Sequence, residues 1–290
     1  MGEEFRPDQT DNRNDHHAIE PTGEVGLPME RVWLPGSSTD IAIHVRGGVD
    51  RAIVRDVWDR DEYRVRSLTG SQPRVVVDIG AHIGAFALLA RALWPAARIV
   101  ACEADPENAR LLRHNLACHE GIEIVEAAIV RDDETHVEFH AVGNKAHSNS
   151  GGGSLCRPEP DSEVIRVPAL SIARLWESYG LVDCDLLKLD CEGSELPLLE
   201  ALRNDWLLAP IQHIVGEWHA LNTDSRSTDK IRGEIENILD ETHHVNFGAR
   251  NSGREGRFFA DRAHRLVEPR TKSPVASTRD GDLGSPGGER

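Results

Sequence analysis

The stretch Arg74-Val-Val-Val-Asp-Ile-Gly-Ala-His-Ile-Gly84 most constrains what this chain can become. Val75, Val76, Val77 and Ile79 form a short β-branched run, the composition of a parallel strand buried on both faces. Asp78 sits at its carboxyl end, Gly80 and Gly84 bracket a turn, and Ala85–Leu93 has the apolar spacing of an amphipathic helix. Strand, acid, glycine turn and helix in that order open a parallel sheet, whose ligands bind beyond the carboxyl ends of the strands. Glycine lets the backbone turn tightly and approach a ligand closely. The helix N-terminus beyond it offers free N–H groups to an anion. The turn is not the dinucleotide fingerprint G-x-G-x-x-G, because the second residue after Gly80 is His82.

The rest of the chain repeats the alternation. Arg98 to Glu103 reads as the second strand, followed by Asp105 as N-cap and Pro106 in the first turn of a helix. Ile122–Val130 reads as the third strand. Two short strands, Val137–Val142 and Val164–Val167, flank a glycine-rich loop, Gly143–Asp161, of the kind that is functional or mobile in a compact domain. Alternation resumes with a helix capped by Ser171 and stopped at Gly180, then a strand at Asp185–Asp190 and a helix at Glu195–Leu202. A strand at Ile211–Glu217, a helix at Asp229–Leu239 and two closing strands follow. Ahead of this body, Arg31–Val45 carries a hairpin pattern, and Asp50–Arg66 reads as one helix that packs on the sheet or covers the site.

Four segments result: a disordered tail over 1–28, a hairpin and cap helix over 29–70, a catalytic domain over 71–267 and a disordered tail over 268–290. The tails are polar and poor in large apolar residues, so they cannot bury enough surface to offset their ordering entropy.

A net charge of -16 argues against a nucleic-acid backbone or an anionic membrane as partner. Five cysteines, an odd number without a C-x-x-C pair, and no secretory or membrane-spanning run point to a reducing, cytoplasmic setting. Despite 14 histidines, no Cys/His cluster has zinc spacing. Nothing in the pattern fixes oligomeric state, so a homodimer stays open.

Asp78, Glu103, Asp190 and Glu217 each fall at or near a strand end, which suggests one acidic rim. Such clustering costs stability unless a ligand or hydrogen bonds compensate. Glu103 lies about 20 residues past the glycine turn, where a second-strand acid meets a ribose diol. A carboxylate at Asp78 is awkward beside a pyrophosphate and suits a ligand bearing an amine and a sulfonium. That favours S-adenosylmethionine over NAD.

At this point the chain resembles a known family. Asp78-Ile-Gly-Ala-His-Ile-Gly84, Glu103-Ala-Asp-Pro106, Asn115, Leu187-Lys-Leu-Asp-Cys-Glu-Gly-Ser-Glu195 and Glu217-Trp-His219 are together similar to the FkbM family of S-adenosylmethionine-dependent methyltransferases. The resemblance spans roughly residues 72 to 220. It departs where Asn is usual and this chain has His82, and where a hydroxyl residue is common and this chain has Ala87.

The resemblance implies a class I, Rossmann-like α/β fold with a seven-stranded, mostly parallel sheet and helices on both faces. Asp78, Gly80, Ala81, His82 and Gly84 would then hold the methionine part of the cofactor and Glu103 its ribose. Ala104, Ala127 and Ala128 would lie against the adenine, with Asn108 among the cofactor contacts.

Methyl transfer needs alignment and a base for the acceptor proton. His219 or Asp190 is the expected base, with Glu192 and Glu217 orienting it, and Glu195 is expected to be structural. A variant in which Asp190, Glu217 and His219 hold Mg²⁺ is ranked below the metal-free reading. The expected reaction is O-methylation of a small-molecule hydroxyl on a sugar or natural-product intermediate, releasing S-adenosylhomocysteine. N- or carboxylate methylation, a silent nucleotide-binding scaffold and an NAD enzyme are the rivals.

Overall fold

Seven strands form the central sheet of this computed structural model, in the order β11-β12-β10-β9-β3-β4-β5. In chain order they are β3 (Val75–Ile79), β4 (Arg98–Cys102), β5 (Ile122–Val125), β9 (Leu186–Leu189), β10 (His213–His219), β11 (His243–Ser252) and β12 (Glu255–Arg262). Strands β5, β4, β3, β9 and β10 run parallel, and β12 enters antiparallel between β10 and β11. The structure describes residues 28–33, 40–142, 151–156, 162–220, 228–252 and 255–263. The expected disordered tails and most of the Gly143–Asp161 loop lie outside the described residues.

The chain leaves β3 toward β4 and β5, then returns to the other side of β3 with β9 and β10. That reversal opens a crevice at the carboxyl ends of β3 and β9, where ligands bind in open α/β sheets. Helices α2 (Ala85–Leu93) and α3 (Pro106–Leu116) pack on one face, and α4 (Ile172–Tyr179), α5 (Glu195–Asn204) and α6 (Thr228–Leu239) on the other. Each face has its own apolar cluster, so the inner strands are buried on both sides, as their Val-, Ile- and Leu-rich sequences require. Asp105 caps α3 by accepting from the N–H groups of Glu107 and Asn108, and Ser171 caps α4 through Arg174 N.

The N-terminal segment is part of the body. The hairpin of β1 (Met29–Trp33) and β2 (Asp40–His44) and helix α1 (Gly48–Trp58) share the apolar cluster of α2 and α3 through Ile43, Val45, Val54 and Trp58. Asn115 on α3 fastens them to the glycine turn. It accepts from His44 N at 2.9 Å and donates to His44 O at 3.1 Å and Ile83 O at 2.9 Å.

Three sequence expectations change. The helix read over Asp50–Arg66 ends at Trp58, because Asp61 and Arg64 adopt left-handed backbone conformations (φ 49° and 54°) that a helix cannot contain. The chain reforms as a short 3-10 turn over Val65–Gly70.

The strand read over Ile122–Val130 is two. β5 stays in the main sheet, while β6 (Ala128–Val130) pairs with β8 (Glu163–Ser171), which pairs in turn with β7 (His136–Ala141). A strand-forming run broken only by Glu123 and Glu126 does not show where a chain changes sheets.

The strand read over Ile211–Glu217 is shifted to His213–His219, so Glu217 lies inside β10 and His219 ends it.

Candidate active site

The carboxyl ends of β3, β4, β9 and β10 meet around a cavity of about 350 Å³, within the range of small-molecule sites. Gly80 permits this meeting. Its φ is 84°, and a Cβ there would stand 1.8 Å from Asp190 O. Only glycine lets the first turn pass so close to the end of β9.

One end of the cavity is lined by Gly80, Ala81, His82 and Glu103, then by Ala104, Asn108, Ala127 and Ala128. The turn's own donors are already engaged. Gly80 N and Ala81 N donate to Cys102 O at 3.0 and 2.9 Å, and His82 N donates to Glu103 Oε2 at 2.7 Å. Glu103 Oε1 accepts from Asp105 N at 2.9 Å. Burial raises Glu103, and its N–H donors from Asp105 and His82 oppose that rise. Oε1 also accepts from Asn108 Nδ2 at 3.4 Å, so Oε2 keeps the lone pair that a ribose hydroxyl would use. The apolar Ala104, Ala127 and Ala128 suit a base laid beside it.

His82, where the family pattern has Asn, takes φ 51°, and its ring turns to the N-terminal segment. Its Nε2 lies 3.3 Å from Arg46 Nη2 and 3.4 Å from Asp50 Oδ1. Arg46 also donates to Asn108 Oδ1 at 2.7 Å, which links the β2–α1 connection to α3 over this end.

Two residues expected to touch the cofactor do not line the cavity. Gly84 sits under α3, where a Cβ would meet Leu112 Cδ1 at 3.0 Å, so it serves helix packing. Asp78 is fully buried and ion-paired with Lys188 Nζ, 3.1 Å from Oδ1. Its charge is answered from below, so the argument from Asp78 to a cationic ligand fails. Lys188, which sequence reasoning passed over, reaches the wall instead and donates to Gly80 O at 2.5 Å. Burial alone would lower its ammonium, but Asp78 and Asp190 outweigh that and hold it protonated. A single lysine in the leucine-rich strand Leu186–Leu189 was the readable sign, since a buried lysine needs a partner.

The other end gathers Asp190, Glu192, Glu217 and His219 as expected. Glu217 and His219 share a face of β10 because strand side chains alternate. His219 Nδ1 lies 3.1 Å from Glu195 Oε1. Glu195 also accepts from Cys191 N and Gly193 N, so it ties the Asp190–Glu195 turn to the end of β10.

Burial would lower His219, but Glu195, Glu192 and Asp190 raise it well above the ordinary range. A protonated imidazole is no base, so the role expected for it requires loss of that proton first. Burial pushes Asp190 up, and Lys188, His219 and the Tyr63 hydrogen bond bring it below the usual carboxylate range. Burial and the Asp190 charge raise Glu217 to about 7.

The N-terminal segment completes this end, which no local sequence pattern could announce. Tyr63 donates to Asp190 Oδ2 at 2.5 Å, and Glu62 pairs with Arg257 at 2.7 Å. From the glycine-rich loop, Gly151, Gly153 and Leu155 reach the wall, and Ser154 donates to Glu192 O at 2.6 Å.

A family model described as the methyltransferase FkbM domain matches residues 78–246, more than half of the chain. The chain belongs to the FkbM methyltransferase family. It is therefore an S-adenosylmethionine-dependent methyltransferase, and the cofactor rests on that match rather than on Asp78. No curated protein matched.

Among solved structures, this FkbM methyltransferase is similar to a precorrin-6y C5,15-methyltransferase from Geobacter metallireducens GS-15. The identity is 18%, covering 69% of this chain and 87% of that one, with a TM-score of 0.39. A SAM-dependent methyltransferase from Agrobacterium tumefaciens is 12% identical over 83% of this chain and 72% of that one, with a TM-score of 0.47. Cofactor-bound Rv0187 from MTB is 16% identical over 70% and 79%, with a TM-score of 0.41. Among the described residues, no helix is long and apolar enough to cross a membrane.

Proposed function

We propose that this FkbM methyltransferase O-methylates a hydroxyl of a small-molecule acceptor, such as a sugar or a natural-product intermediate. The observation that carries the reading is one cavity with two chemically different ends. The Gly80–Glu103 end matches a nucleoside and its amino-acid tail, and the Asp190–His219 end matches a hydroxyl that must lose a proton.

S-adenosylmethionine, when bound, supplies a methyl group made electrophilic by its sulfonium. Glu103 holds the ribose, and Ala104, Ala127 and Ala128 flank the base. Lys188 and Asp78 hold Gly80 against the end of β9, which fixes the distance between the two ends of the cavity. The acceptor hydroxyl lies at the Asp190, Glu217 and His219 end, in line with the methyl, and its proton leaves at that end of the cavity. The protein's contribution is alignment and proton removal.

The test is turnover. Purified protein with S-adenosylmethionine and a panel of sugar and polyketide-like alcohols, matched amines and matched carboxylic acids is followed by S-adenosylhomocysteine release. Product from alcohols alone supports the reading. Product from amines or acids alone replaces it. S-adenosylhomocysteine binding without turnover on any acceptor favours the silent scaffold.

A further inference from the structure

We propose that Asp190, Glu217 and His219 form a divalent-cation site at the acceptor end of the cavity, suited to Mg²⁺ or Mn²⁺ and to a hydroxyl-bearing acceptor bound through the ion. One carboxylate oxygen from each acid and one imidazole nitrogen lie within 4.8 Å of one another. Bonds of about 2.1 Å place adjacent ligands about 3 Å and opposite ligands about 4.2 Å apart, so small side-chain rotations close the set. All three residues line the cavity, so the remaining coordination positions face its interior. An enclosed structural metal would not leave that opening.

The setting of His219 within the set points the same way. Its side chain is 5% exposed, and Nδ1 is committed to Glu195. Nε2 makes no hydrogen bond among the described residues, and its ion-pair partner, Glu192 Oε2, stands at 3.8 Å. A histidine held at one nitrogen by a buried carboxylate, with the other presented to a cavity, is the usual form of a metal ligand. Occupancy takes the place of the imidazole proton, since a metal binds neutral imidazole.

The two permanent cations of this wall make their direct contacts outside the set, Lys188 with Asp78 and Gly80 O and Arg257 with Glu62, while their charges also favour the ionised form of Asp190. Two oxygens and one nitrogen favour Mg²⁺ or Mn²⁺ over the softer ions that thiolates select. Cys191 lines the cavity but is not part of the set.

The proposal rests on the methyltransferase reading and deepens it. An acceptor hydroxyl bound to the ion is more acidic. Its O–H bond breaks, with the proton passing to Glu192 or solvent. The oxygen forms its bond to the methyl carbon as the carbon–sulfur bond breaks, and S-adenosylhomocysteine leaves. Glu195 is a positioning residue in this scheme.

The experiment is a titration of the full chain with MnCl₂, followed by the loss of the free Mn²⁺ paramagnetic resonance signal, alongside calorimetry with S-adenosylhomocysteine. Wild type should bind one Mn²⁺ tightly. Glu217→Gln and Asp190→Asn should lose that site, and Glu195→Gln should weaken it about 10- to 100-fold. All three variants should keep S-adenosylhomocysteine affinity, which also shows that they are folded. Absence of Mn²⁺ binding in wild type, or equal binding in Glu217→Gln, overturns the site and leaves His219 as the charge partner of the acids. Loss of S-adenosylhomocysteine binding in wild type would overturn the cofactor reading instead, so the two failures are distinct.

Discussion

Lys188 Nζ stands 3.1 Å from Asp78 Oδ1, with both side chains almost wholly cut off from solvent. Asp78 belongs to the most recognisable motif of the chain, and Lys188 to a strand of leucines that looks like plain core. The pair bridges β3 and β9, and through the Lys188 bond to Gly80 O it holds the glycine turn against the end of β9. Its effect on the cavity wall is therefore made through the backbone.

That placement predicts the outcome of removing one charge. Lys188→Met leaves Asp78 buried without its partner, a change that typically costs about 3–5 kcal/mol. Thermal unfolding should drop on the order of 10 °C. Adding Asp78→Asn removes the stranded charge and should recover a large part of the loss. Equal melting of Lys188→Met and wild type would show that the ion pair does not hold this crossing.

Glu103 differs from Asp78 because its carboxylate reaches the cavity while accepting N–H bonds from His82 and Asp105. Glu103→Gln keeps much of the shape but replaces one acceptor oxygen with a donor. Hydrogen bonds to a charged group contribute about 1.5–3 kcal/mol, so S-adenosylhomocysteine should bind roughly 10- to 100-fold more weakly by calorimetry. An unchanged dissociation constant would remove Glu103 from the cofactor site.

The two glycines of the turn should behave differently under the same substitution. Gly80→Ala drives a Cβ to 1.8 Å from Asp190 O, against backbone that cannot swing away. It should both destabilise the fold and abolish S-adenosylhomocysteine binding. Gly84→Ala meets Leu112 Cδ1 at 3.0 Å, at φ 94°. It should lower the melting temperature while the folded protein keeps its cofactor affinity. Loss of affinity in Gly84→Ala equal to that in Gly80→Ala would return Gly84 to the binding site.

These cases show what could be read in advance. The β3 turn, the capped helices and the parallel core announced themselves because they depend on local chemistry: β-branched runs, Asp105 before Pro106, Ser171 before an apolar helix. That Asp190, Glu192, Glu217 and His219 meet at one cavity was also legible, since side chains near the carboxyl ends of neighbouring parallel strands converge.

Tyr63 on Asp190 was hidden because 127 residues separate the partners. Asp78 was misplaced for a subtler reason. A motif gives the position of a residue along a strand, but not which neighbour on the next strand takes its charge. The break between β5 and β6 was hidden because Ile122–Val130 is rich in β-branched residues on both sides of Glu126, and Glu123 keeps the alternation of a single strand.

His243 gives a test of fold stability away from the cavity. It begins β11 with no surface exposed; Nε2 lies 3.0 Å from Ile211 O, and Nδ1 lies 2.7 Å from Thr242 Oγ1. Burial lowers it from an ordinary 6.5 to about 4, with the Ile211 carbonyl opposing that fall. Between those values the unfolded chain takes up a proton that the folded chain refuses. Stability from this residue is therefore complete above pH 6.5 and is lost as pH falls toward 4, by about 3 kcal/mol across the window. Carboxylates titrate over the same range, so the measurement is a difference. His243→Gln should melt below wild type at pH 7.5, because it disturbs both contacts. The gap should narrow as pH is lowered to 4.5, because only the wild type loses the histidine contribution. A gap that stays constant from pH 7.5 to 4.5 would mean that His243 accepts its proton in the folded protein as readily as in the unfolded chain.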